Sequence, residues 1–448
     1  MNVQVEELQA GLAQVCARSG LQAPADLERL TGGASMESWH FWSGGGGFVL
    51  RRAPSLEFIE DRPYGHDVEA AIIRAANAAG VTAPRVVAEL QPDDGIGSGF
   101  VMQALSGTPN PKEILAMGRP DALLHEAACD LARIHTIRCG EVPDAVPELD
   151  YREAIADFRA QFEEAGGDRP IIALGLKWLE DNCPDRVEPV LVHGDYRMGN
   201  LLAEDSKLTG VLDWELAHFG DPHEDLAFGC MAVWRFARYD RPALGLGSLE
   251  EYFAAYEAES GRKVDRARFR YWTIHRTVWW ALACLKSAMK WRNGSDRMLE
   301  RAVISRRTSE QELDLLMLLE EDAPKEEQVK PVEPYLNAST GIGEATNGNI
   351  AVAVSEWLAT LKDQMKGHDR FQLAVARNAL GMIARDDAIN PRGTIEYPYA
   401  QDILAGEVGL GTPGTLAHLR SAALEKLESD VPKYPALAVA RKKWIGED

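Results

Sequence analysis

Two short apolar runs between residues 189 and 215 constrain the fold most, because each leads directly into an aspartate. The first, PVLVHGD, ends at Asp195 behind His193 and Gly194, and Asn200 follows five residues later. The second, KLTGVLDWE, carries Asp213. Such runs predict short strands, and polar side chains that are costly to bury near a strand usually have a partner or a function.

The surrounding segments predict an α+β protein. Residues 3–20 and 66–80 have helical periodicity and end at glycines, and strand-like runs near 36–43 and 47–53 flank a glycine turn at 44–47. APRVVAEL and GFVMQAL predict two further strands. Beyond about residue 105 the pattern is mostly helical, including a long helix over 270–291. We therefore expect a small antiparallel sheet with one inserted helix, followed by a mainly helical region.

Charge and cysteine usage exclude several classes of protein. The 448-residue chain has a net charge of −21, which disfavours binding to nucleic acid or to an anionic membrane surface. Its six cysteines are scattered without a C-x-x-C pair, so neither a zinc site nor a disulfide framework is expected. The N-terminus has no signal-peptide pattern and no 18-residue apolar run occurs, so we expect a cytoplasmic protein that does not enter the membrane.

The spacing of the polar residues suggests phosphoryl transfer. His193, Asp195 and Asn200 match the catalytic-loop pattern H-x-D-x-x-x-x-N, and Asp213 follows Asp195 by 18 residues. In this chemistry one carboxylate orients the attacking hydroxyl, while two oxygen-bearing side chains hold magnesium on the nucleotide phosphates. Asp195 is the candidate base, and Asn200 and Asp213 are the candidate magnesium ligands.

The stretch LVHGDYRMGNLLAEDSKLTGVLDWELAHFGDPHEDLAF (191–228) resembles the aminoglycoside phosphotransferase and choline kinase superfamily. The shared features are the HGD-x-x-x-x-N loop, a DWE segment and a GDP-x-x-D-L-A segment. The resemblance covers roughly residues 20–320 and implies a two-lobed protein-kinase-like fold that binds ATP and Mg²⁺. It resembles in particular members of this superfamily whose substrates are unassigned.

The resemblance also implies nucleotide-binding residues in the first lobe. Gly33 and Ser35 fall in TGGASMESWHF, which is similar to the phosphate-covering loop of the family. Arg51 stands where protein kinases carry a lysine, and Glu69 matches the helix glutamate that pairs with this cation. The alternatives are an exposed arginine at a strand end and a solvated glutamate. The glycines at 44–47 lie between two strands, and we interpret them as a turn.

The strand GFVMQAL is similar to the segment that links the lobes and contacts adenine. Gln103 and Leu105 are expected to contribute backbone groups there, with Met102 beside the base. For the acceptor substrate, Tyr196, Arg197 and Glu215 flank the catalytic residues. Because Arg197 adds positive charge, an anionic or neutral hydroxylated small molecule is favoured over a polycation.

Three functions remain open from the sequence. The first is an ATP-dependent kinase of a small hydroxylated metabolite, with a hydroxy-acid derivative favoured because some relatives of this branch are joined to acyl-CoA dehydrogenase modules. The second is an aminoglycoside or other antibiotic kinase. The third is a pseudokinase that binds nucleotide or a partner protein without transfer, although such proteins usually lose the base or a metal ligand.

Three further polar residues of this stretch are interpreted as structural. Asp221 is placed to cap a helix that begins at Pro222. Asp225 is expected to tie that helix to the catalytic loop. His193 is expected to pack beneath the loop and to bond to the backbone.

Composition and resemblance together give the predicted domains. They are an N-terminal nucleotide-binding lobe (1–105), a C-terminal lobe with the catalytic loop (106–321), a charged linker (322–346) and a small helical domain (347–448). From residue 346 onward 12 basic and 13 acidic residues nearly cancel. Helical stripes in this last domain, one from Val354 to Met365 and one from Leu416 to Leu427, must bury against something. They could cover the kinase domain or form a homodimer.

Overall fold

The computed structural model describes residues 3–30, 36–54, 62–332, 345–389 and 396–446. The chain divides into two compact units. Unit 1 comprises Met1–Asp150 and Arg186–Phe269, and unit 2 comprises Tyr151–Asp185 and Arg270–Asp448. Within these described ranges, no helix is both long enough and apolar enough to cross a membrane.

The strands belong to unit 1. They are β1 (Ala25–Arg29), β2 (Glu37–Ser43), β3 (Gly46–Ala53), β4 (Val86–Glu89), β5 (Ser98–Gln103), β6 (Val190–Val192), β7 (Leu201–Glu204), β8 (Lys207–Val211) and β9 (His218–Gly220). The first five form an antiparallel sheet in the order β1-β2-β3-β5-β4, and the remaining strands form the pairs β6–β9 and β7–β8.

The predicted hairpin is confirmed. Ser43 pairs with Gly46 where β2 turns into β3, and Gly44 and Gly45 have φ angles of +58° and +82°. A two-residue turn with both φ angles positive suits glycine, which has no Cβ to clash. Gly44 and Gly45 therefore form the turn that was interpreted from the sequence, whereas Gly46 and Gly47 are the first residues of β3.

Helices occupy most of the remaining described chain. They are α1 (Val3–Arg18), α2 (His66–Ala78), α3 (Pro111–Leu115), α4 (Pro120–Ile134), α5 (Tyr151–Glu164), α6 (Pro170–Asp181), α7 (Pro222–Phe228), α8 (Leu249–Ser260), α9 (Arg266–Arg292), α10 (Leu299–Ser305), α11 (Thr308–Leu319), α12 (Lys325–Gln328), α13 (Asn347–Ala359), α14 (Gly367–Ile389), α15 (Tyr397–Ala405), α16 (Thr415–Asp430) and α17 (Pro435–Ile445). The α+β class is confirmed.

The described residues of unit 1 form two hydrophobic cores. In the first, the apolar face of α1, with Leu8 and Leu12, packs on sheet residues such as Phe41 and Leu50. The second core joins α2, α4, α7 and α8 to the short strands. It lies beneath the loop 193–200, called the catalytic loop for its predicted role. The loop from β6 to β7 is thus held on a packed helical base.

Unit 2 is helical. Helix α11 packs on α6, α16 and α17, while α15 packs on α6 and α14 packs on α10, α13 and α16. The predicted stripe at Leu416, Leu419 and Leu427 is buried. The stripe that includes Val354 and Trp357 is different, because these side chains are 41% and 62% exposed.

The compact units follow other boundaries than the predicted domains. Helices beyond residue 347 share a unit with α5, α6 and α11, so they do not form a separate unit of their own. Part of the expected linker, Lys325–Gln328, is the helix α12. The homodimer expected through the C-terminal helices remains a prediction.

Candidate active site

The backbone of the catalytic loop is fixed by a buried aspartate. Asp225 on α7 accepts hydrogen bonds from the N–H groups of His193 at 2.6 Å and Gly194 at 2.9 Å. Gly194 has φ +81°, and a Cβ there would lie 2.5 Å from the carbonyl oxygen of Leu216. Glycine is therefore required at this position, and the expected link between Asp225 and the loop is confirmed.

The helix that carries Asp225 begins as predicted. Asp221 caps α7 by accepting from the N–H of His223 at 3.0 Å, and Pro222 is the first helical residue. Asp221 also accepts from Arg268 at 2.7 Å. Capping and the second bond fix the start of the helix, and so the position of Asp225.

His193 lies fully buried under the loop, as expected. Its Nδ1 accepts from the N–H of Asp195 at 3.2 Å, and its Nε2 lies 3.1 Å from the carbonyl oxygen of Leu212. This arrangement requires a neutral ring that donates from Nε2, and burial lowers the pKa of His193. The imidazole thus joins the catalytic loop to the strand that leads to Asp213.

Both carboxylate oxygens of Asp195 are engaged. Oδ1 accepts from Arg197 Nε at 2.7 Å, and Oδ2 accepts from Arg197 Nη2 at 3.2 Å and from Asn200 Nδ2 at 2.6 Å. Burial, opposed by Arg197 and aided by the nearby Asp213, raises the pKa of Asp195 to about 6. A carboxylate with this pKa is suited to accept a proton near neutral pH.

Asn200 and Asp213 present oxygens suited to a hard cation. Asn200 uses its Nδ2 to hold Asp195, which leaves its Oδ1 for a ligand. Asp213 has φ +68° and stands two residues beyond β8 with its Oδ1 bonded to Arg51. Burial favours the neutral acid, but Arg51 outweighs it and keeps the pKa of Asp213 below its usual value. The amide oxygen and the ionised carboxylate are ligands that magnesium accepts together with phosphate oxygens and water.

The structure brings Arg51 and Glu69 together. Arg51 on β3 lies with its Nε 3.1 Å from Glu69 Oε1, and its Nη2 donates to Asp213 Oδ1 at 2.6 Å and to Glu215 Oε2 at 2.8 Å. The Glu69 side chain is 1% exposed. The alternatives of an exposed arginine and a solvated glutamate are therefore wrong.

Sequence reasoning missed one cation of this cluster. Arg62, just before α2, donates to Glu69 Oε2 at 3.3 Å and also bonds to Glu215 Oε2. No motif marks a lone arginine in EDRPYGHD, so the sequence carried no signal for it. Glu215, expected near the substrate, is placed here as the shared partner of Arg51 and Arg62.

The predicted adenine-contacting residues lie at the end of β5. The N–H of Gln103 donates to Arg85 at 2.9 Å and that of Ala104 to Gly47 at 3.0 Å, so sheet pairing uses both groups. Within the described ranges the N–H of Leu105 has no hydrogen-bond partner. The partly buried Met102 pairs with Val49 in the sheet. Gly33 and Ser35 lie outside the described residues.

The side chains of Tyr196 and Arg197, both expected near the substrate, lie in different environments. Tyr196 is fully buried and its hydroxyl donates to the carbonyl oxygen of Ala127 at 2.8 Å, which corrects the expectation that it contacts substrate. The side chain of Arg197 is 20% exposed and stacks over Trp234, 4.1 Å from the ring centroid. Of the two, only Arg197 places a charged group beside the candidate base.

Comparison with known proteins identifies the family and the fold. The model of the phosphotransferase enzyme family matches residues 26–270. A crystal structure of a candidate aminoglycoside phosphotransferase from Ralstonia eutropha JMP134 aligns with a TM-score of 0.57 and 21% identity, over 71% of this chain and 98% of that one. This likeness shows a shared two-lobed kinase-like fold.

Two curated relatives are similar over about half of the chain. Mouse acyl-CoA dehydrogenase family member 10 is 27% identical over 259 residues, which are 52% of this chain and 24% of that protein. Chicken acyl-CoA dehydrogenase family member 11 is 27% identical over 259 residues, or 53% and 32%. The chain therefore spans a quarter to a third of these relatives, and their names assign it no substrate.

The matched range contains the catalytic loop and both candidate metal ligands, and it exceeds half of the chain. The chain belongs to the phosphotransferase enzyme family. Beyond the matched range the chain carries additional helices.

Proposed function

We propose that the protein transfers the γ-phosphate of ATP to a hydroxyl of a small anionic metabolite, with a hydroxy-acid derivative as the favoured acceptor. The observation that carries this proposal is the guanidinium of Arg197, which holds both carboxylate oxygens of Asp195. An acceptor hydroxyl that reaches Asp195 must pass close to this positive charge.

In this reaction Asp195 accepts the hydroxyl proton, and its pKa of about 6 keeps it largely ionised at neutral pH. Asn200 holds the carboxylate in position through its Nδ2. Magnesium, when bound by Asn200 and Asp213, would neutralise charge on the phosphates. Arg51, oriented by Glu69, would bind the phosphate chain.

Arg197 argues for an acceptor with negative charge. Its stacking on Trp234 keeps the guanidinium in place while leaving part of it exposed. A carboxylate on the acceptor could bond to this group in a bidentate manner, whereas the ammonium groups of an aminoglycoside would be repelled.

The test is a panel of acceptors at equal concentration, with ADP release as the rate and phosphorus NMR as the proof of product. The panel contains hydroxy acids, their thioesters, uncharged polyols and aminoglycosides, and Asp195→Asn serves as the inactive control. We expect turnover of hydroxylated anions. Preferred turnover of aminoglycosides would support the antibiotic-kinase alternative, and ATP binding without any transfer would support the pseudokinase.

Arg197→Met sharpens the assignment of the acceptor. If Arg197 binds the acceptor anion, the variant loses more kcat/KM with a hydroxy acid than with a neutral polyol of similar size. An equal loss with both acceptors would show that Arg197 only positions Asp195.

A further inference from the structure

Glu69 lies between two arginines. Its Oε1 faces Arg51 Nε at 3.1 Å and its Oε2 faces Arg62 Nη1 at 3.3 Å. Glu215 repeats the arrangement, because its Oε2 contacts both guanidinium groups. Two cations are therefore oriented around a shared pair of carboxylates. The sequence pattern accounts for Arg51 but not for Arg62.

Arg62 is held as firmly as Arg51. Its Nη1 also lies 3.4 Å from His66 Nε2, and His66 Nδ1 lies 2.8 Å from Ser98 Oγ. Donation from Nδ1 to Ser98 leaves Nε2 as an acceptor for Arg62. Burial, then Arg62 and Arg51, lower the pKa of His66 to about 3, so its ring stays neutral. The side chain of Arg62 is 12% exposed.

Two of the three carboxylates in the cluster are more exposed than the arginines. Asp213 is 32% and Glu215 27% exposed, against 14% for Arg51. A cation bound to Asp213 would compete with Arg51 for that carboxylate. The guanidinium groups would then need another anion, and under the proposed function the phosphate chain of ATP is the anion that enters the site.

We propose that Arg62 is a second phosphate-binding cation, which grips the nucleotide phosphates together with Arg51 and exchanges Glu215 for a phosphate oxygen. The proposal rests on the proposed use of ATP. Arg52, the neighbour of Arg51 in β3, does not share this position, because successive side chains of a strand point to opposite faces of the sheet. Arg52 is bonded to Glu37 and to the carbonyl oxygen of Ile96 and contacts none of the cluster's carboxylates among the described residues.

The first experiment measures the affinity of the full chain for ATP, AMP and inorganic tripolyphosphate by calorimetry, with and without magnesium. Arg62→Gln should weaken the binding of ATP and tripolyphosphate by about tenfold or more, as expected for loss of a charge-assisted bond, and change AMP binding less than about twofold. Arg62→Lys should recover part of the loss. Arg74→Gln on α2 is the matched control, because Arg74 and its partner Glu89 are both half-exposed, at 45% and 37% of their side-chain surface.

A double-mutant cycle separates direct binding from positioning. If Arg62 acts only by orienting Glu69 and thereby Arg51, Arg62→Gln has no effect on tripolyphosphate binding once Arg51 is alanine. If Arg62 binds phosphate itself, its loss still weakens binding in that background. The second result is expected, and the first would overturn the proposal.

The two proposals fail in different ways. If the wild-type chain binds neither ATP nor tripolyphosphate, the proposed use of ATP is wrong. If the wild type binds ATP and Arg62→Gln binds it with equal affinity, only the assignment of Arg62 is wrong. Thermal unfolding of each variant without nucleotide shows whether a loss of affinity reflects a loss of folded protein.

Discussion

Around the catalytic loop of unit 1, Asp213 and Glu215 keep about a third of their side-chain surface exposed while they contact Arg51. In unit 2, Glu320 is 2% exposed and is enclosed by Arg420, Lys443 and the indole N–H of Trp444. Under the proposed function, the first cluster exchanges these protein partners for ligands. The second joins helices α16 and α17 to the end of α11 and has no such freedom.

This contrast shows that burial of charge alone does not mark a functional site. Ion pairs that connect helices and ion pairs at a proposed ligand site are built from the same residue types. The difference lies in the accessible oxygens and in the pKa of a group such as Asp195, which stands at about 6 beside the exposed part of the first cluster.

The largest effect on stability is expected from breaking the buried cluster around Glu320. Arg420→Ala leaves Glu320 buried with Lys443 as its remaining cationic partner, and should lower the free energy of unfolding by about 3 kcal/mol or more. Denaturant titration measures the change. Arg159→Ala, which breaks a half-exposed pair with Glu180 in the same unit, should cost less than about 1 kcal/mol. Equal losses in the two variants would contradict the distinction.

Asp195→Asn tests the group beside the first cluster through activity rather than stability. It should lower kcat by about 10²-fold or more, because the general base is lost, while ATP affinity stays close to that of the wild type. The free energy of unfolding should not fall as it does for Arg420→Ala. Wild-type kcat in the variant would show that another group takes the proton.

Asp213→Asn should weaken magnesium-dependent binding of ATP by about tenfold, because a neutral amide is a poorer ligand for a hard cation than a carboxylate. Binding without metal should change less. Calorimetry across a magnesium titration measures both. A variant whose magnesium dependence equals that of the wild type would remove Asp213 from the set of metal ligands.

The smallest expected change is a shift of the pH profile. Asp195 accepts a proton only when ionised, so kcat/KM should fall as the pH drops through about 6 and should be level above it. Arg197 lowers the pKa of Asp195, so Arg197→Met should move this acid limb to higher pH. If the fall of kcat/KM occurs at the same pH in the variant, the titrating group is not Asp195.

Much of the site could be predicted because its parts lie on short, locally determined segments. His193, Asp195 and Asn200 share one loop, and Asp213 follows the adjacent hairpin, so their spacing along the chain nearly fixes their spacing in the fold. Arg62 could not be predicted in this way, since its partners Glu69 and Glu215 are 7 and 153 residues distant. Tyr196 was misplaced because neighbours in a loop can face opposite sides.

The same distinction between local and distant contacts explains which parts of the fold could be predicted. Helix α9 and the β2–β3 hairpin were predicted because periodicity and glycine turns are local signals. The strand β9 spans three residues, too few to show any alternation. The stripe at Leu416 and Leu419 indicated burial but not its partner, α11, because an amphipathic face does not specify what it packs against.

The two bonds from Asp225 to the N–H groups of His193 and Gly194 also have a consequence for hydrogen exchange. Both amide protons are bonded to the carboxylate of Asp225, so they exchange with solvent when these bonds open. Every such opening also releases the backbone that carries Asp195. The exchange rates of His193 and Gly194 therefore report how often the enzyme loses its catalytic geometry, without any measurement of turnover.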